Sequence, residues 1–296
     1  MKKTIFTGAG VAIATPFFED GSINYDELGR LIDFNIDNGT DAIIICGTTG
    51  ESATMSDEEH IECIKYAVEK TAKRVPVIAG TGSNDTKYAI HLSQEAEKLG
   101  ADALLLVTPY YNKTSQAGLI AHYKMIAESV SLPIIVYSVA SRTGVNITPE
   151  TCVELAKIPN IVAIKEASGN ISQIAQIAAL CGDSLDIYSG NDDQIIPIMA
   201  LGAKGVISVL SNVMPFETHE VATLCLENNY PEARAKMWKL QQLAKDLFCD
   251  VNPIPVKYAL NVMGFKAGPC RMPLYEMSDA NKAKLEATMK KAGILK

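Results

Sequence analysis

The chain has 296 residues, is 48% hydrophobic and carries a formal net charge of −7, which suits a single α/β barrel in length and apolar content. Its charges are dispersed without a basic cluster and no apolar stretch reaches bilayer length, so neither a nucleic acid nor a membrane is an expected partner. The seven cysteines are odd in number and contain no CxxC pair, and residues 1–8 lack the apolar core of a signal peptide, so we expect a cytoplasmic protein with reduced thiols.

Short apolar runs alternate with amphipathic segments over the first 230 residues. Asn24 can cap a first helix over residues 24–38, and Ser56 with Glu59 forms a capping box that opens the second helix. Further helices are predicted over residues 85–99 and from residues 115, 148 and 170. The predicted strands cover residues 10–17, 41–46, 75–80, 103–107, 133–137, 160–165, 185–189 and 205–209. Such continuous apolar runs are typical of parallel strands that are buried on both faces.

Eight regular strand–helix units predict the α/β class and, within it, a closed (β/α)8 TIM barrel over residues 1–230. A doubly wound open sheet is the alternative, but the chain has no GxGxxG fingerprint to support it. From about residue 214 the pattern becomes wholly helical. One helix would close the barrel, and three more, over about 231–249, 253–263 and 278–292, predict a C-terminal helical subdomain over residues 231–296. A barrel does not need this tail, so it is expected to be a small appendix or an oligomer contact.

The sixth predicted strand ends on Lys165, an unusual residue for a strand buried on both faces. Burial disfavours the ammonium form, which leaves the amine more easily neutral and nucleophilic, as Schiff-base chemistry with a carbonyl substrate requires. The alternative is that Lys165 extends to water where the strand ends, which is the commoner role on position alone.

Other chemically useful side chains also lie at predicted strand ends, which meet on one face of a barrel. They are Thr48 and Thr49 after strand two, Tyr110 and Tyr111 after strand four, Tyr137 at the end of strand five with Arg142 in its loop over 138–144, and Gly190 and Ile207 at strands seven and eight. An amine, hydroxyls for proton transfer and a guanidinium for a carboxylate together suit carbonyl chemistry on an acidic substrate. Singly, the tyrosines could serve packing, the threonines could serve turns, and Arg142 could pair with Glu166 or Glu51.

Four spaced motifs resemble those of the dihydrodipicolinate synthases, pyruvate-dependent class I aldolases of the N-acetylneuraminate lyase superfamily. The motifs lie at residues 47–51, 108–111, 137–144 and 164–169, and a fifth segment at 252–257 also matches, so the resemblance covers essentially the whole chain.

The resemblance implies that Lys165 forms a covalent imine with pyruvate and that no separate cofactor is needed. The derived enamine would attack L-aspartate 4-semialdehyde, and cyclisation would give 4-hydroxy-tetrahydrodipicolinate, the first committed intermediate towards diaminopimelate and lysine. Tyr137 would be the general acid and base beside the imine. Thr48 and Tyr111 would relay protons, with Tyr111 reaching in from a neighbouring subunit.

The same resemblance implies the binding roles and the assembly. Thr49 and nearby backbone amides would hold the pyruvate carboxylate, and Arg142 would hold the carboxylate of the semialdehyde. Backbone atoms of Gly190 and Ile207 would help to orient Lys165. The implied assembly is a homotetramer built as a dimer of dimers.

Two departures from the family pattern qualify these expectations. Ser138 and Ala140 stand where family members commonly carry Asn and Pro, which frees the loop that carries Arg142. Five residues match the pocket that binds lysine in feedback-sensitive relatives: Ser52, Ala53, His60, Asn84 and Tyr110. Asp57 and Tyr88 differ from its usual histidine and glutamate, so we expect lysine inhibition to be weak or absent.

Three competing functions stay open on the sequence. A sister lyase acting on N-acetylneuraminate or a 2-keto-3-deoxy sugar acid would keep Lys165 and Tyr137, but it would not need Arg142. A metal-dependent aldolase would need a ligand cluster, and the histidines at 60, 91, 122 and 219 form no spaced ligand pair, so no metal site is expected. A non-catalytic barrel would keep the fold alone.

Overall fold

The computed structural model describes residues 2–295. Eight parallel strands close into a barrel in sequential order, and β8 pairs with β1. The strands are β1 Gly8–Ala12, β2 Ala42–Ile45, β3 Val77–Gly80, β4 Ala103–Val107, β5 Ile134–Ser138, β6 Ile161–Glu166, β7 Asp186–Ser189 and β8 Gly205–Ser208. The predicted (β/α)8 architecture is therefore confirmed.

Helices follow the strands and surround the barrel. They are α1 Tyr25–Asp37, α2 Asp57–Thr71, α3 Thr86–Lys98, α4 Gln116–Ala127, α5 Ala140–Thr143, α6 Pro149–Ala156, α7 Ile171–Cys181, α8 Ile195–Ala200, α9 Pro215–Leu226, α10 Tyr230–Asp246, α11 Ile254–Val262 and α12 Asp279–Lys291. The Asn24 side chain accepts a hydrogen bond from the Glu27 amide, and the capping box of Ser56 and Glu59 is formed. Between residues 2 and 295, none of the helices combines the length and the apolar character that crossing a membrane requires.

The first strand is shorter than expected. The prediction placed it over residues 10–17, whereas β1 ends at Ala12 because the backbone donors beyond Ile13 bond elsewhere. The Ala14 amide donates to Oδ1 of Asn212 at 3.0 Å, and the Phe17 amide donates to a carbonyl in the helical tail. These partners lie far away in the chain, so the apolar run itself does not reveal where the strand pairing stops.

The loop after β5 contains one helical turn, α5, that the sequence did not predict. The Arg142 and Thr143 amides donate to the Val139 carbonyl at 2.9 and 3.1 Å, which closes the turn. Gly144 ends it with φ at +72°, in the left-handed region that glycine adopts without steric cost. The segment that carries Arg142 is thus a hydrogen-bonded turn, whereas the Ser138 and Ala140 departures led us to expect a freer loop.

The barrel interior is a packed core of buried side chains. Phe6, which precedes β1, stacks on Tyr188 with ring centroids 4.4 Å apart, and the Tyr188 hydroxyl donates to the Phe6 carbonyl at 2.7 Å. This contact fills the amino-terminal end of the barrel. Interior side chains at the other end include Tyr137 and Ile207.

Candidate active site

Lys165 is a buried residue of β6 and does not behave as a solvated strand end. The residue is 6% exposed. Burial lowers the pKa of its amine to about 8, a shift that the nearby Asp192 carboxylate opposes and the Arg142 guanidinium reinforces. A useful fraction of the amine is therefore neutral near physiological pH, as the Schiff-base hypothesis requires.

Tyr137 lies directly beside Lys165 because the two residues are partners in the register of β5 and β6. The Lys165 Nζ atom is 4.3 Å from the centroid of the Tyr137 ring. Burial raises the pKa of the Tyr137 phenol, while Arg142 and a contact with the Thr48 hydroxyl pull that pKa down. The phenol thus stays protonated at neutral pH and is placed to give or take a proton close to the amine.

The loop after β2 supplies the adjacent hydroxyls of Thr48 and Thr49. Thr48 lines a cavity of about 50 Å³ together with Ser52 and Tyr137, and this cavity has room for a water-sized group. Thr49 is buried, and its Oγ1 accepts a hydrogen bond from Nδ2 of Asn252 at 3.0 Å. The structure therefore brings Thr48 to the Tyr137 side of the site and holds Thr49 through the helical tail.

The tyrosine pair after β4 lies outside this cluster. Tyr111 is 91% exposed and adopts a left-handed φ of +68°. Asn84 donates to the Tyr110 carbonyl at 3.1 Å and so braces the loop. Within one chain, the Tyr111 side chain therefore points into solvent and not into its own barrel.

Arg142 lies on α5 with an exposed side chain, and its Nη2 donates to the Asn252 carbonyl at 3.4 Å. The two carboxylates considered as structural partners are engaged elsewhere. Glu51 forms an ion pair at 2.9 Å with Lys257 of the helical tail, and Glu166 accepts hydrogen bonds from its own loop and from α7. The guanidinium consequently remains at the mouth of the barrel, near enough to influence Lys165 electrostatically.

Gly190 packs against the Lys165 side chain. A Cβ atom at Gly190 would lie 2.6 Å from the Cβ of Ala167 and 3.2 Å from the Cε of Lys165, so a larger residue would displace the lysine stem. Ile207 is 1% exposed in the barrel interior on β8. Gly190 therefore borders the lysine stem directly, whereas Ile207 belongs to the apolar cluster inside the barrel that also contains Tyr137.

Comparison with known proteins identifies the family. The sequence profile of the dihydrodipicolinate synthetase family matches residues 5–292. The chain belongs to this family. A 4-hydroxy-tetrahydrodipicolinate synthase of Acetivibrio thermocellus is 56% identical over 295 residues, which cover 100% of both chains. Another of Lachnoclostridium phytofermentans is 58% identical over 292 residues, which cover 98% of this chain and 99% of the relative.

Solved structures agree with the family in fold. The chloride-inhibited dihydrodipicolinate synthase from Acinetobacter baumannii, complexed with pyruvate, is 44% identical with a TM-score of 0.97, covering 99% of this chain and 100% of its own. Dihydrodipicolinate synthase from Aquifex aeolicus is 48% identical with a TM-score of 0.96, covering 98% of this chain and 99% of its own.

Asp192, which follows β7, acts electrostatically on Lys165 in this dihydrodipicolinate synthetase family member, and the sequence analysis did not single it out. It is 3% exposed, and its Oδ2 accepts hydrogen bonds from the Val209 and Leu210 amides at 3.1 and 2.9 Å. Its Oδ1 has no hydrogen-bond partner among residues 2–295. The sequence does show a carboxylate three residues after the seventh predicted strand. Its burial, however, depends on the Val209 and Leu210 amides that follow β8.

The Asp192→Asn variant is expected to lower the pKa of Lys165 below its present value of about 8, because the carboxylate favours the ammonium form. Asparagine keeps an oxygen for the two amides, so the geometry is conserved. The expected shift is about one pKa unit. It is measured as the pH dependence of adduct formation with pyruvate, whose acid limb should move to lower pH.

Asp193→Asn is the matched control, because Asp193 is the exposed neighbour in the same loop. The Asp193→Asn variant should leave the acid limb of the pH profile for adduct formation unchanged. An unchanged or higher apparent pKa in Asp192→Asn would refute the assigned influence on Lys165.

Proposed function

We propose that this chain condenses pyruvate with L-aspartate 4-semialdehyde to give 4-hydroxy-tetrahydrodipicolinate, the first committed step towards diaminopimelate and lysine. The observation that carries the proposal is the buried Lys165 amine, whose pKa is lowered to about 8 and whose Nζ lies 4.3 Å from the Tyr137 ring centroid. The enzyme is a lyase of the class I aldolase type that uses no cofactor apart from the covalent imine.

The first half-reaction activates pyruvate. The neutral Lys165 amine, about a tenth of the population at pH 7 for a pKa of about 8, attacks the ketone carbon to form a carbinolamine. The protonated Tyr137 hydroxyl donates a proton to the departing oxygen, and water leaves as the imine forms. Loss of a methyl proton from the imine then gives the enamine, with Thr48 connecting Tyr137 to the outer part of the site.

The second half-reaction forms the new carbon–carbon bond. The enamine carbon attacks the aldehyde of the semialdehyde, and the resulting alkoxide is protonated. The amino group of the semialdehyde then attacks the imine carbon and expels Lys165, which closes the ring. Thr49 holds the pyruvate carboxylate, and the exposed Arg142 guanidinium on α5 holds the carboxylate of the semialdehyde. Gly190 and Ile207 keep the lysine stem aligned.

Tyr111 completes the relay from a second subunit in this proposal. A tyrosine that is 91% exposed on a braced loop cannot serve its own barrel, but it can enter that of a neighbour. This role requires at least a dimer. The proposed assembly, a homotetramer built as a dimer of dimers, is the one that the family resemblance implies.

The runner-up function is a sister lyase that cleaves N-acetylneuraminate or a 2-keto-3-deoxy sugar acid. Relatives that are 56% and 58% identical over nearly the whole chain are named as synthases, which favours the condensation. Arg142 at the mouth suits a small acidic aldehyde better than a polyol.

The test is incubation of the enzyme with pyruvate and each candidate aldehyde, with products followed by NMR, and with each sugar acid alone. Consumption of aspartate 4-semialdehyde with formation of the cyclic product is expected. Cleavage of a sugar acid without turnover of the semialdehyde would refute the synthase. A metal-dependent aldolase would lose its activity in a chelator, whereas the proposed chemistry would not.

Lysine is expected to inhibit this enzyme weakly or not at all. Burial raises the pKa of Tyr88 to about 12, and the negative charge of the nearby Asp57 carboxylate adds to that shift. Asp57 also lies 3.2 Å from the His91 ring. The pocket thus has a phenol, which stays neutral, at the position of the usual glutamate, so a lysine ammonium would be held less tightly.

The measurement is steady-state turnover at rising lysine concentration. The Tyr88→Glu variant is the matched control, because it restores the missing carboxylate and should increase sensitivity to lysine. Complete inhibition of the unaltered enzyme at low lysine concentration would contradict the expectation.

A further inference from the structure

The segment between α10 and α11 lies against both carboxylate-binding candidates. We propose that Asn252 is a positioning residue that sets the hydrogen-bond polarity of Thr49 and so the affinity for the pyruvate carboxylate. This inference rests on the proposed function and adds a residue of the helical tail to the site.

Asn252 contacts the two proposed binding residues with different groups. Its side-chain Nδ2 donates to Thr49 Oγ1 at 3.0 Å, and its backbone carbonyl accepts from Arg142 Nη2 at 3.4 Å. Asn252 is 5% exposed and Thr49 is 2% exposed. A change of the Asn252 side chain therefore acts on Thr49 and leaves the acceptor of Arg142 in place.

The direction of the side-chain hydrogen bond gives it a chemical consequence. A hydroxyl has one proton to donate, and Thr49 accepts at its oxygen from Asn252. The Thr49 proton is therefore free to donate to an anionic group such as a carboxylate. If the neighbour at position 252 were an acceptor, Thr49 would donate its proton to that neighbour. The hydroxyl could then no longer donate a hydrogen bond to the substrate carboxylate.

The tail is fixed to the same loop at a second point. Lys257 Nζ pairs with Glu51 Oε1 at 2.9 Å, and both side chains are at most 2% exposed. The Arg271 amide donates to Glu51 Oε2 at 2.9 Å, and Lys257 also donates to the Pro269 carbonyl at 2.6 Å. Because the ion pair anchors the tail on the loop after β2, the Asn252 amide is held where it meets Thr49.

The experiment measures the pyruvate concentration that gives half of the maximal yield of borohydride-trapped adduct. Adduct formation needs pyruvate alone, so the second substrate does not affect this concentration. Asn252→Ala removes the donor and is expected to raise this concentration about tenfold. Asn252→Asp is isosteric but offers only acceptors and a negative charge, so its increase should be larger, on the order of 100-fold. Both variants should reach the maximal adduct yield at saturating pyruvate.

Asn261→Ala is the matched control in the tail. Asn261 exchanges hydrogen bonds with Gly268 at 3.1 and 3.0 Å and does not contact Thr49. The Asn261→Ala variant should leave the pyruvate concentration at half-saturation unchanged. An effect confined to the Asn252 variants would then come from the position of Thr49 and not from a general loosening of the tail. Combining Asn252→Ala with Thr49→Val should give little further increase over either change alone, because both remove the same interaction.

Three results would overturn the inference. These are unchanged half-saturation in both Asn252 variants, a reduced maximal yield with unchanged half-saturation, or an equal increase in Asn261→Ala. Should Asn252→Ala fail to fold, as judged by circular dichroism, the isosteric Asn252→Asp decides. No adduct in the unaltered enzyme would defeat the proposed function and this inference together, whereas an adduct with unshifted variants would defeat this inference alone.

Discussion

The Lys165→Met variant is expected to lose at least about 10⁴-fold in kcat, because the covalent intermediate can no longer form. Methionine has a similar length without a charge, so it suits a position that is 6% exposed in an apolar barrel. We expect the fold to be retained, with a melting temperature no lower than that of the unaltered enzyme. The loss is measured by steady-state turnover of pyruvate with aspartate 4-semialdehyde.

Lys204→Met is the control for Lys165→Met. Lys204 immediately precedes β8, at the amino-terminal end of the barrel, and lies 3.9 Å from Asp186 at its surface. The same chemical change at that end should leave kcat within about twofold, since Lys204 lies at the opposite end of the barrel from Lys165. Turnover of Lys165→Met above one hundredth of the normal rate in a folded sample would contradict the assigned role.

The Tyr137→Phe variant is expected to lower kcat by about 10²–10³-fold with a smaller change in the half-saturation for pyruvate. Phenylalanine keeps the ring that lies under the Lys165 amine, at 4.3 Å from its centroid, and removes only the hydroxyl. Because burial raises the pKa of Tyr137, the lost group is a protonated acid at neutral pH. The predicted defect is therefore in proton transfer, and single-turnover kinetics of imine formation should show it.

Tyr188→Phe provides the matched control inside the same barrel. The Tyr188 hydroxyl donates to the Phe6 carbonyl at 2.7 Å. Phe6 precedes β1, so this hydrogen bond lies away from the carboxyl ends of the strands. Its removal should cost about 1 kcal/mol of unfolding free energy and leave kcat unchanged. Retention of more than a tenth of the normal kcat by Tyr137→Phe would remove Tyr137 from the mechanism.

The barrel and the centre of the site could be predicted from local patterns. Continuous apolar runs determine strands buried on both faces, and Asn24 and the Ser56–Glu59 box determine where helices begin. Once the strands are ordered, barrel geometry places the end of β5 beside the end of β6. The pairing of Tyr137 with Lys165 follows from that geometry.

The remaining features depend on contacts between distant parts of the chain. Beyond the end of β1 the Ala14 amide bonds to Asn212, and Thr49 accepts a hydrogen bond from Asn252, 203 residues away. The burial of Asp192 arises from amides at the end of β8. No local periodicity encodes such partners. The proposed role of Tyr111 would require a second chain, which one sequence cannot position.

Borohydride reduction in the presence of pyruvate tests whether Lys165 forms the covalent imine. We expect a stable pyruvyl adduct, seen by intact mass and mapped by peptide analysis to Lys165. We also expect that the adduct yield rises with pH around the lowered pKa of about 8. A folded enzyme that gives no adduct, or an adduct on another lysine, would contradict the account and leave the family fold without the proposed chemistry.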